Sequence, residues 1–410
     1  MRYRLFGTVA AVAALVVAGC GQAGPGAGPR PDDVLFLQTA GGITLVKAVP
    51  DAVAISLSGA VPSTDWSAVV RTMRRKGETR IVAHDTTSGA RLWSREISGR
   101  FEVKVAADRA GLVALGTPVV GTGYPVGRSS TTLVVLDGGS EPRTITLEGN
   151  YEPEAFSTDG QSLFVVEYVP PRHPDRYRVR RLDLGTEEVV GVYTVDAELQ
   201  ETMRGTARVQ AASPDGKRLY TLYSLKEADG TKRSFVHVLS LDELWAHCVD
   251  LPAGFATGSE RRVALSVSPD GSRLYVADAT TEEVAEVDTE ALAVTRSSPV
   301  AFASPGAPAH AVYGPDGVLY LASGRWLRAA DASTLTEARS WDMAGKITGI
   351  QAATDGIRLY VGLEDRIIIL DTATGRIRGE LRPGDIGTIT QLGRSTRSLD
   401  EGRKEITCAC

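Results

Sequence analysis

The chain repeats one turn sequence along most of its length. The clearest copy is Ser268-Pro269-Asp270-Gly271, which is followed by the apolar run Leu274-Tyr275-Val276-Ala277. The aspartates of the seven copies, of which the first two are degenerate, are Asp65, Asp108, Asp159, Asp215, Asp270, Asp316 and Asp355. Their mean spacing is about 48 residues, and a repeat of that period is typical of solenoids and propellers rather than of separate domains.

The residues of this turn indicate what it connects. Proline presets φ, aspartate bonds the local backbone and glycine accepts positive φ, so the sequence predicts a tight turn between two antiparallel strands. A second marker, an apolar strand that ends in aspartate, follows each turn at Asp85, Asp137, Asp183, Asp242, Asp288, Asp331 and Asp371. One strand precedes the turn, two strands fit between the turn and the second marker, and a fourth strand follows that marker. Each repeat therefore contains four strands.

Four antiparallel strands cannot bury two apolar faces alone, but they can do so when each sheet packs on its neighbours around an axis. The sequence thus predicts an all-β fold, a seven-bladed β-propeller of four-stranded antiparallel blades, over residues 34–393. Independent β-sandwiches would not explain one turn signature that recurs seven times. Residues 34–46 read as a hairpin and 387–392 as a short strand, and these flanks are suited to closing the ring. An eighth blade is the alternative, although neither flank contains its own turn signature.

The stretch from Ser268 to Leu292 resembles the YVTN-type propeller repeats of bacterial surface proteins, within the wider WD40-like superfamily. The resemblance covers about 65–381 and implies a propeller. No repeat ends in Trp-Asp, so the chromatin and cytosolic signalling roles of WD40 proteins are not implied. The copy that contains Trp93 also resembles the repeat of quinoprotein propellers, in which the tryptophan docks between blades. We interpret Trp93 as an inter-blade packing residue.

The N-terminus predicts the cellular compartment. Two arginines precede an apolar run from Leu5 to Val17, which is short for a membrane span and is typical of a signal peptide. The run ends in Val17-Ala18-Gly19-Cys20, which resembles the bacterial lipobox. The resemblance implies that residues 1–19 are removed and that Cys20 is lipidated. An ordinary secretory signal with an incidental cysteine is the alternative.

The next residues predict a tethered, net-acidic body. Residues 20–33 are rich in Gly and Pro and form a flexible tether with a reach of roughly 20 Å. Removal of 1–19 takes away two arginines and no acids, so the formal net charge falls from −5 to −7. That balance argues against nucleic acid as a partner. We therefore expect a lipid-anchored protein on the extracytoplasmic face of the cell membrane.

If Cys20 carries lipid, three cysteines remain, and they cannot all form disulfides within one chain. Cys248, Cys408 and Cys410 allow the pairings 248–408, 248–410 and 408–410, and free or intermolecular thiols are a further alternative. A disulfide would hold the polar C-terminal tail, residues 394–410. A soft-metal site at Cys408-Ala409-Cys410 has weaker support, because no second pair or nearby histidine completes a ligand shell.

Few residues in the sequence suggest chemistry. The five histidines form no HExxH or His-x-His pair, and no nucleophile elbow, Walker A loop, zinc finger or EF-hand is present. Glu152 and Glu154 lie on a candidate inner strand that faces the channel. The densest basic run, Arg71, Arg74, Arg75 and Lys76, predicts an exposed hairpin that contacts anionic headgroups or wall phosphates, or else a solvated loop that blocks edge pairing.

The sequence favours a binding or scaffold module for a protein, a cell-wall polymer or a small molecule, without a cofactor. The alternative is a metal- or quinone-dependent enzyme, such as a lactonase-like hydrolase or a dehydrogenase. The enzyme would need several acidic, Asn or His side chains that converge on the propeller axis, and the fold alone supplies no activity.

Overall fold

A computed structural model describes residues 33–394, except 40–41, 49–51, 119–125, 139, 197, 199–201, 227–228, 256–259, 303, 305, 315 and 383–388. Its 33 strands form eight antiparallel sheets, which we number blades 1 to 8 from the N-terminus. Blade 5 gains a fifth, parallel edge strand. The helices of the described residues are two single 3₁₀ turns, Asp108–Ala110 and Glu260–Arg262.

The strands follow one another in chain order. Blade 1 takes β1 (Val34–Thr39), β2 (Gly42–Lys47) and β3 (Ala52–Leu57), and blade 2 takes β4 (Ala60–Pro62), β5 (Ala68–Arg75), β6 (Glu78–Asp85) and β7 (Arg91–Ser98). Blade 3 takes β8 (Glu102–Ala106), β9 (Leu112–Gly116), β10 (Ser130–Asp137) and β11 (Arg143–Glu148), and blade 4 takes β12 (Asn150–Phe156), β13 (Ser162–Val169), β14 (Arg176–Asp183) and β15 (Val189–Gly191). Blade 5 takes β16 (Tyr193–Thr194), β17 (Thr206–Ala212), β18 (Arg218–Lys226), β19 (Lys232–Ser240) and β20 (Trp245–Asp250), and blade 6 takes β21 (Val263–Val267), β22 (Arg273–Asp278), β23 (Glu283–Asp288) and β24 (Ala293–Pro299). Blade 7 takes β25 (Ala309–Tyr313), β26 (Val318–Ser323), β27 (Trp326–Asp331) and β28 (Thr336–Asp342), blade 8 takes β29 (Ile347–Ala352), β30 (Arg358–Leu363), β31 (Ile367–Asp371) and β32 (Ile377–Leu381), and β33 (Ile389–Arg394) returns to blade 1.

The repeated turn joins the first and second strands of blades 2 to 8. In blade 6, Ser268 Oγ donates to Asp270 Oδ1 at 2.5 Å, and the backbone N–H of Ser272 donates to the same oxygen at 3.0 Å. These hydrogen bonds lower the pKa of Asp270 to about 2. Gly271 occupies the left-handed region at φ 74°. In blade 3, Arg109 and Ala110 adopt positive φ instead, at 53° and 52°.

The prediction of seven blades was wrong, because the flanks form an eighth. Strands β1, β2 and β3 carry the N-terminal part of blade 1, and β33 from the far end of the chain is its innermost strand. The repeated turn connects the first strand of a blade to the second. In blade 1 those two strands are β33 and β1, which are not joined by a loop, so the signature that defines a repeat cannot occur there.

Blade 1 closes the ring through backbone pairing and one buried carboxylate. Leu35 pairs with Arg394, and Leu37 pairs with Leu392, across the antiparallel ladder of β1 and β33. The side chain of Asp33, which is 1% exposed, accepts hydrogen bonds from Thr354 Oγ1 at 2.7 Å and Tyr360 Oη at 2.5 Å. These two donors belong to blade 8, so Asp33 ties the start of blade 1 to its neighbour.

The two faces of the propeller differ in their connections. The turn face carries the turns between first and second strands in blades 2 to 8 and those between third and fourth strands in all eight blades, and each of these turns is four or five residues long. The opposite face, which we call the loop face, carries connections that range from one residue to the fourteen residues 192–205, which include the short edge strand β16. Asp33 lies on the turn face, because its partner Thr354 belongs to the turn between β29 and β30. The segment before Asp33 therefore joins the propeller at the turn face.

Apolar side chains fill the seams between blades. Trp93 of blade 2 packs with Phe101 and Ala110 of blade 3, and its Nε1 donates to the Ala110 carbonyl at 3.1 Å. This contact confirms the inter-blade role predicted for Trp93. Six neighbouring pairs of inner strands pack closely around the channel. Between blades 4 and 5, Gln210 of β17 donates a hydrogen bond to Glu154 of β12, and between blades 1 and 2, Ala60 of β4 packs with the apolar side chains of blade 1.

A glycine comparison tests the role of the turn. Gly271→Ala should lower the free energy of unfolding by about 1–2 kcal/mol, because a Cβ at φ 74° strains the backbone even though its nearest neighbour would lie 3.7 Å away. Gly111→Ala is the matched control, since Gly111 has right-handed helical φ of −62°, and its expected change is within about 0.5 kcal/mol. Chemical denaturation of both variants measures the difference, and equal shifts would contradict the argument.

Candidate functional site

The inner strand β12 of blade 4 carries two acidic side chains, Glu152 directed toward blade 3 and Glu154 directed toward blade 5. Glu152 is paired, because its two carboxylate oxygens lie 2.6 Å from Arg128 Nη2 and 3.1 Å from Lys104 Nζ. Lys104 also contacts Glu102 at 2.8 Å. Arg128 precedes the third strand of blade 3, and Glu102 begins the first, so this network lies at the loop-face end of the channel.

Glu154 differs from Glu152, which lies on the same strand. Its Oε1 accepts a hydrogen bond from Gln210 Nε2 of blade 5 at 3.2 Å, while Oε2 is buried without a hydrogen-bond partner. Burial raises the pKa of the Glu154 carboxyl from 4.5 to about 7, and the Gln210 hydrogen bond offsets only part of that rise. The carboxyl can therefore take up or release a proton near neutral pH, which a paired glutamate cannot easily do.

A row of polar residues continues from Glu154 into the seam between blades 4 and 5. Gln210 is opposite Thr221, Thr221 is opposite His237, and His237 is opposite Cys248 on four successive strands of blade 5. Gln210 Nε2 also donates to Thr221 Oγ1 at 2.9 Å. Opposed residues share one face of a sheet, so the row runs from the channel to the outer strand through an otherwise apolar interface.

Aromatic rings stack beside this row. Tyr177 of blade 4 lies 5.2 Å from Tyr223 of blade 5, and Tyr223 lies 5.4 Å from Phe235, measured between ring centroids. Tyr168 adds a tilted contact to Tyr177 at 6.4 Å. Burial raises the pKa of the Tyr223 hydroxyl well above its usual value, and the nearby Glu154 carboxyl adds to that effect. The stack joins blade 4 to blade 5.

The four cations of the basic run at residues 71–76 have different locations in the structure. The hairpin between β5 and β6 exposes Arg75 and Lys76 on the loop face, as predicted. Arg74 lies 3.9 Å from Glu102 of blade 3. Arg71 is four residues before Arg75 and is half-buried on the face of β5 that is directed toward blade 1. The four cations therefore do not form one patch.

The structure describes one of the four cysteines. Cys248 is exposed on β20 and has no disulfide partner among the described residues, and its Sγ lies 3.9 Å from Met203 Sδ. Cys20, Cys408 and Cys410 lie outside the described residues, so the lipid anchor, the three disulfide pairings and the Cys-x-Cys metal site stay predictions.

Histidine and carboxylate groups do not converge in the described part of the chain. No three His, Cys, Asp or Glu side chains there are grouped so that they could hold a metal ion. His237 and His310 are in different blades, and burial lowers the pKa of each to about 4, so both imidazoles are neutral. No described helix has the length and apolar character needed to cross a bilayer.

Sequence reasoning found Glu152 and Glu154 but missed Gln210, Thr221 and the partners of Glu152. Alternation along β12 marks both glutamates as candidates. Which one is paired depends on Lys104 and Arg128, and these come from a different blade. No signal in the sequence specifies how neighbouring blades are rotated against each other.

No protein-family model matches the chain, and no curated protein matches it in sequence. Solved structures do match. Apo AztD from Citrobacter koseri has a TM-score of 0.56 at 14% identity, covering 88% of this chain and 97% of its own. The dihydro-heme d1 dehydrogenase NirN, in complex with DHE, has a TM-score of 0.53 at 12% identity, covering 89% and 75%. A eukaryotic initiation factor has a TM-score of 0.50 at 13% identity, covering 90% and 99%. Likeness at such low identity shows the propeller fold alone.

The proton on Glu154 should make stability depend on pH. The folded-state pKa of about 7 exceeds the ordinary 4.5, so this group's contribution is fully present below pH 4.5 and is lost as pH rises through 7. Glu154→Gln mimics the protonated form. Its free energy of unfolding should match that of the wild type at pH 5 and exceed it at pH 8 by on the order of 2 kcal/mol.

Urea denaturation at the two pH values measures this difference. Glu152→Gln is the control, and it should destabilise the protein at both pH values because Lys104 and Arg128 lose an acceptor. If the effect of Glu154→Gln is the same at pH 5 and pH 8, the Glu154 carboxyl does not carry the shifted proton.

Proposed function

We propose that this protein is a lipid-anchored extracytoplasmic binding module that presents its loop face away from the membrane. The observation that carries the proposal is the position of Asp33, which is held on the turn face by Thr354 and Tyr360 of blade 8. The Gly- and Pro-rich tether of residues 20–33 and the lipid proposed on Cys20 would therefore hold the turn face toward the bilayer.

The loop face is the better surface for recognition. Its connections vary from one to fourteen residues, whereas the turn face repeats nearly the same short turns around the ring. Variable loops on a rigid scaffold are the usual carriers of binding. The charged channel mouth at Glu152 and the basic hairpin at Lys76 both lie on this side. The partner is a protein, a cell-envelope polymer or a small molecule, and the net-acidic body disfavours nucleic acid.

The anchor can be tested at its thiol. Cys20→Ser removes the only group in the lipobox that can accept diacylglycerol, so the variant should appear unprocessed or in the soluble fraction. Detergent phase partitioning and mass spectrometry of the N-terminal peptide measure the outcome. An unmodified Cys20 in protein that is still membrane-bound would contradict the anchor.

The orientation can be tested with single cysteines in a background that lacks Cys248, Cys408 and Cys410. Lys76→Cys is on the loop face and Glu290→Cys is in an exposed turn on the turn face. A bulky polyethylene-glycol maleimide should label position 76 several-fold faster than position 290 on membrane-attached protein.

The same two cysteines in the unanchored Cys20→Ser chain provide the control. Both are exposed, so their labelling rates should become similar once the membrane no longer shields one face. Equal rates in the anchored protein would overturn the proposed orientation, while loss of the membrane fraction in Cys20→Ser alone bears only on the anchor.

A further inference from the structure

The outer part of blade 2 carries a groove on the side that is directed toward blade 1. Val69 of β5 packs with Leu45 and Leu57 of blade 1, whereas Val70 packs with blade 3. Side chains alternate along a strand, so Arg71 shares the face of Val69. Arg71 is opposite Val82 on β6, which places Val82 on this face as well.

Cationic groups dominate the lining of this groove. It encloses about 520 Å³ and is lined by Arg71, Met73, Arg80, Val82, His84 and Arg91. Three arginines and one histidine thus face the same space, and the described lining residues include no carboxylate. A volume of this size is within the range of small-ligand sites. Three guanidinium groups that face the same space repel one another, and a bound anion would relieve that repulsion.

Two nitrogens in the lining are buried and have no hydrogen-bond partner among the residues that the structure describes. They are Arg71 Nε and His84 Nε2. The other ring nitrogen, His84 Nδ1, lies 3.2 Å from the Gly89 carbonyl oxygen, and donation to that oxygen fixes the ring orientation. Buried polar groups normally have partners, so unmatched nitrogens on two adjacent strands indicate that an acceptor is missing.

Among the described residues, one carboxylate approaches the lining of the groove. Glu96 lies 3.8 Å from Arg80 Nε, and Ser94 Oγ accepts from the same nitrogen at 3.1 Å. Arg74, which is on the same strand as Arg71, has Glu102 as a partner and does not line the groove. The groove and the hairpin are therefore chemically different.

We propose that the groove formed by Arg71, Arg80, His84 and Arg91 binds the phosphate group of an anionic ligand. Arginine matches the oxygens of phosphate through paired N–H donors, and three arginines can neutralise a doubly charged group. Met73 and Val82 would contact an apolar portion next to the phosphate. The site deepens the proposed binding function by naming a ligand class, and it does not depend on the lipid anchor.

The position of the groove bears on the source of the phosphate. Arg71, opposite Val82, lies in the middle of strands that run from the turn face to the loop face. A flat bilayer that meets the turn face would not reach the middle of the side wall. A soluble phosphate ester or a phosphodiester polymer therefore fits the groove better than a headgroup of the anchoring membrane.

Calorimetric titration of the full-length lipidated protein in non-ionic detergent tests the site. Inorganic phosphate and glycerol 1-phosphate are the probes, at constant ionic strength set with chloride. Arg71→Gln and Arg91→Gln should each weaken binding by about tenfold or more, because each removes a charged donor. Arg91 is exposed, so its replacement should leave the melting temperature unchanged even if Arg71→Gln perturbs folding.

Arg75→Gln is the matched control, since Arg75 is a cation on the same strand but lies at the hairpin outside the groove. It should bind phosphate like the wild type. No heat of binding for either probe, or equal losses in Arg75→Gln and Arg91→Gln, would overturn the proposal.

Vesicles of phosphatidylglycerol mixed with the unanchored Cys20→Ser chain distinguish a lipid headgroup from a soluble phosphate as the ligand. Vesicle binding that Arg91→Gln abolishes assigns the phosphate to lipid. Vesicle binding that persists in Arg91→Gln, while inorganic phosphate binding is lost, uses another surface and assigns the groove to a soluble phosphate.

Discussion

Ring closure at blade 1 is the constraint on which the rest of the structure depends. Each blade can bury both faces only if it has a neighbour on each side, so an open ring would expose two apolar faces. The ladder between β1 and β33 supplies the missing connection, with Leu35 opposite Arg394 at one end and Thr39 opposite Ile389 at the other. Asp33 adds side-chain bonds to blade 8. Closure through strands from opposite ends of the chain makes folding of the last blade depend on both termini.

Buried polar atoms without a described hydrogen-bond partner mark both candidate sites. Glu154 Oε2 lies on the side of blade 4 that is directed toward blade 5, and Arg71 Nε and His84 Nε2 lie on the side of blade 2 that is directed toward blade 1. Such atoms are costly in a packed interior, because neither water nor a ligand can reach them. They also occur elsewhere in the ring, for example at His310 Nε2, so the groups that surround Glu154 and Arg71 distinguish the two sites.

Individual residues show which features of these sites can be predicted from the sequence. Glu152 and Glu154 are identical in type, lie on the same strand and differ in function only through their neighbours in space. The basic run 71–76 looks uniform in sequence, yet alternation along β5 and pairing with Glu102 separate Arg71 from Arg74. Arg80 and Arg91 join Arg71 through strand pairing, and no local pattern in the sequence connects them.

The sequence by itself determined the local chemistry of the repeat. Ser, Asp and Gly at fixed spacing close a turn through contacts within a few residues, so the turn, the four strands and the propeller class follow from composition and period. Only the tertiary structure shows that there are eight blades. Blade 1, the blade that the sequence analysis did not count, is assembled from segments that are more than 300 residues apart and lacks the repeated turn. The tertiary structure also decided the protonation of Glu154 and the grouping of the arginines. Those properties depend on burial and on distances between strands, and neither is local in the chain.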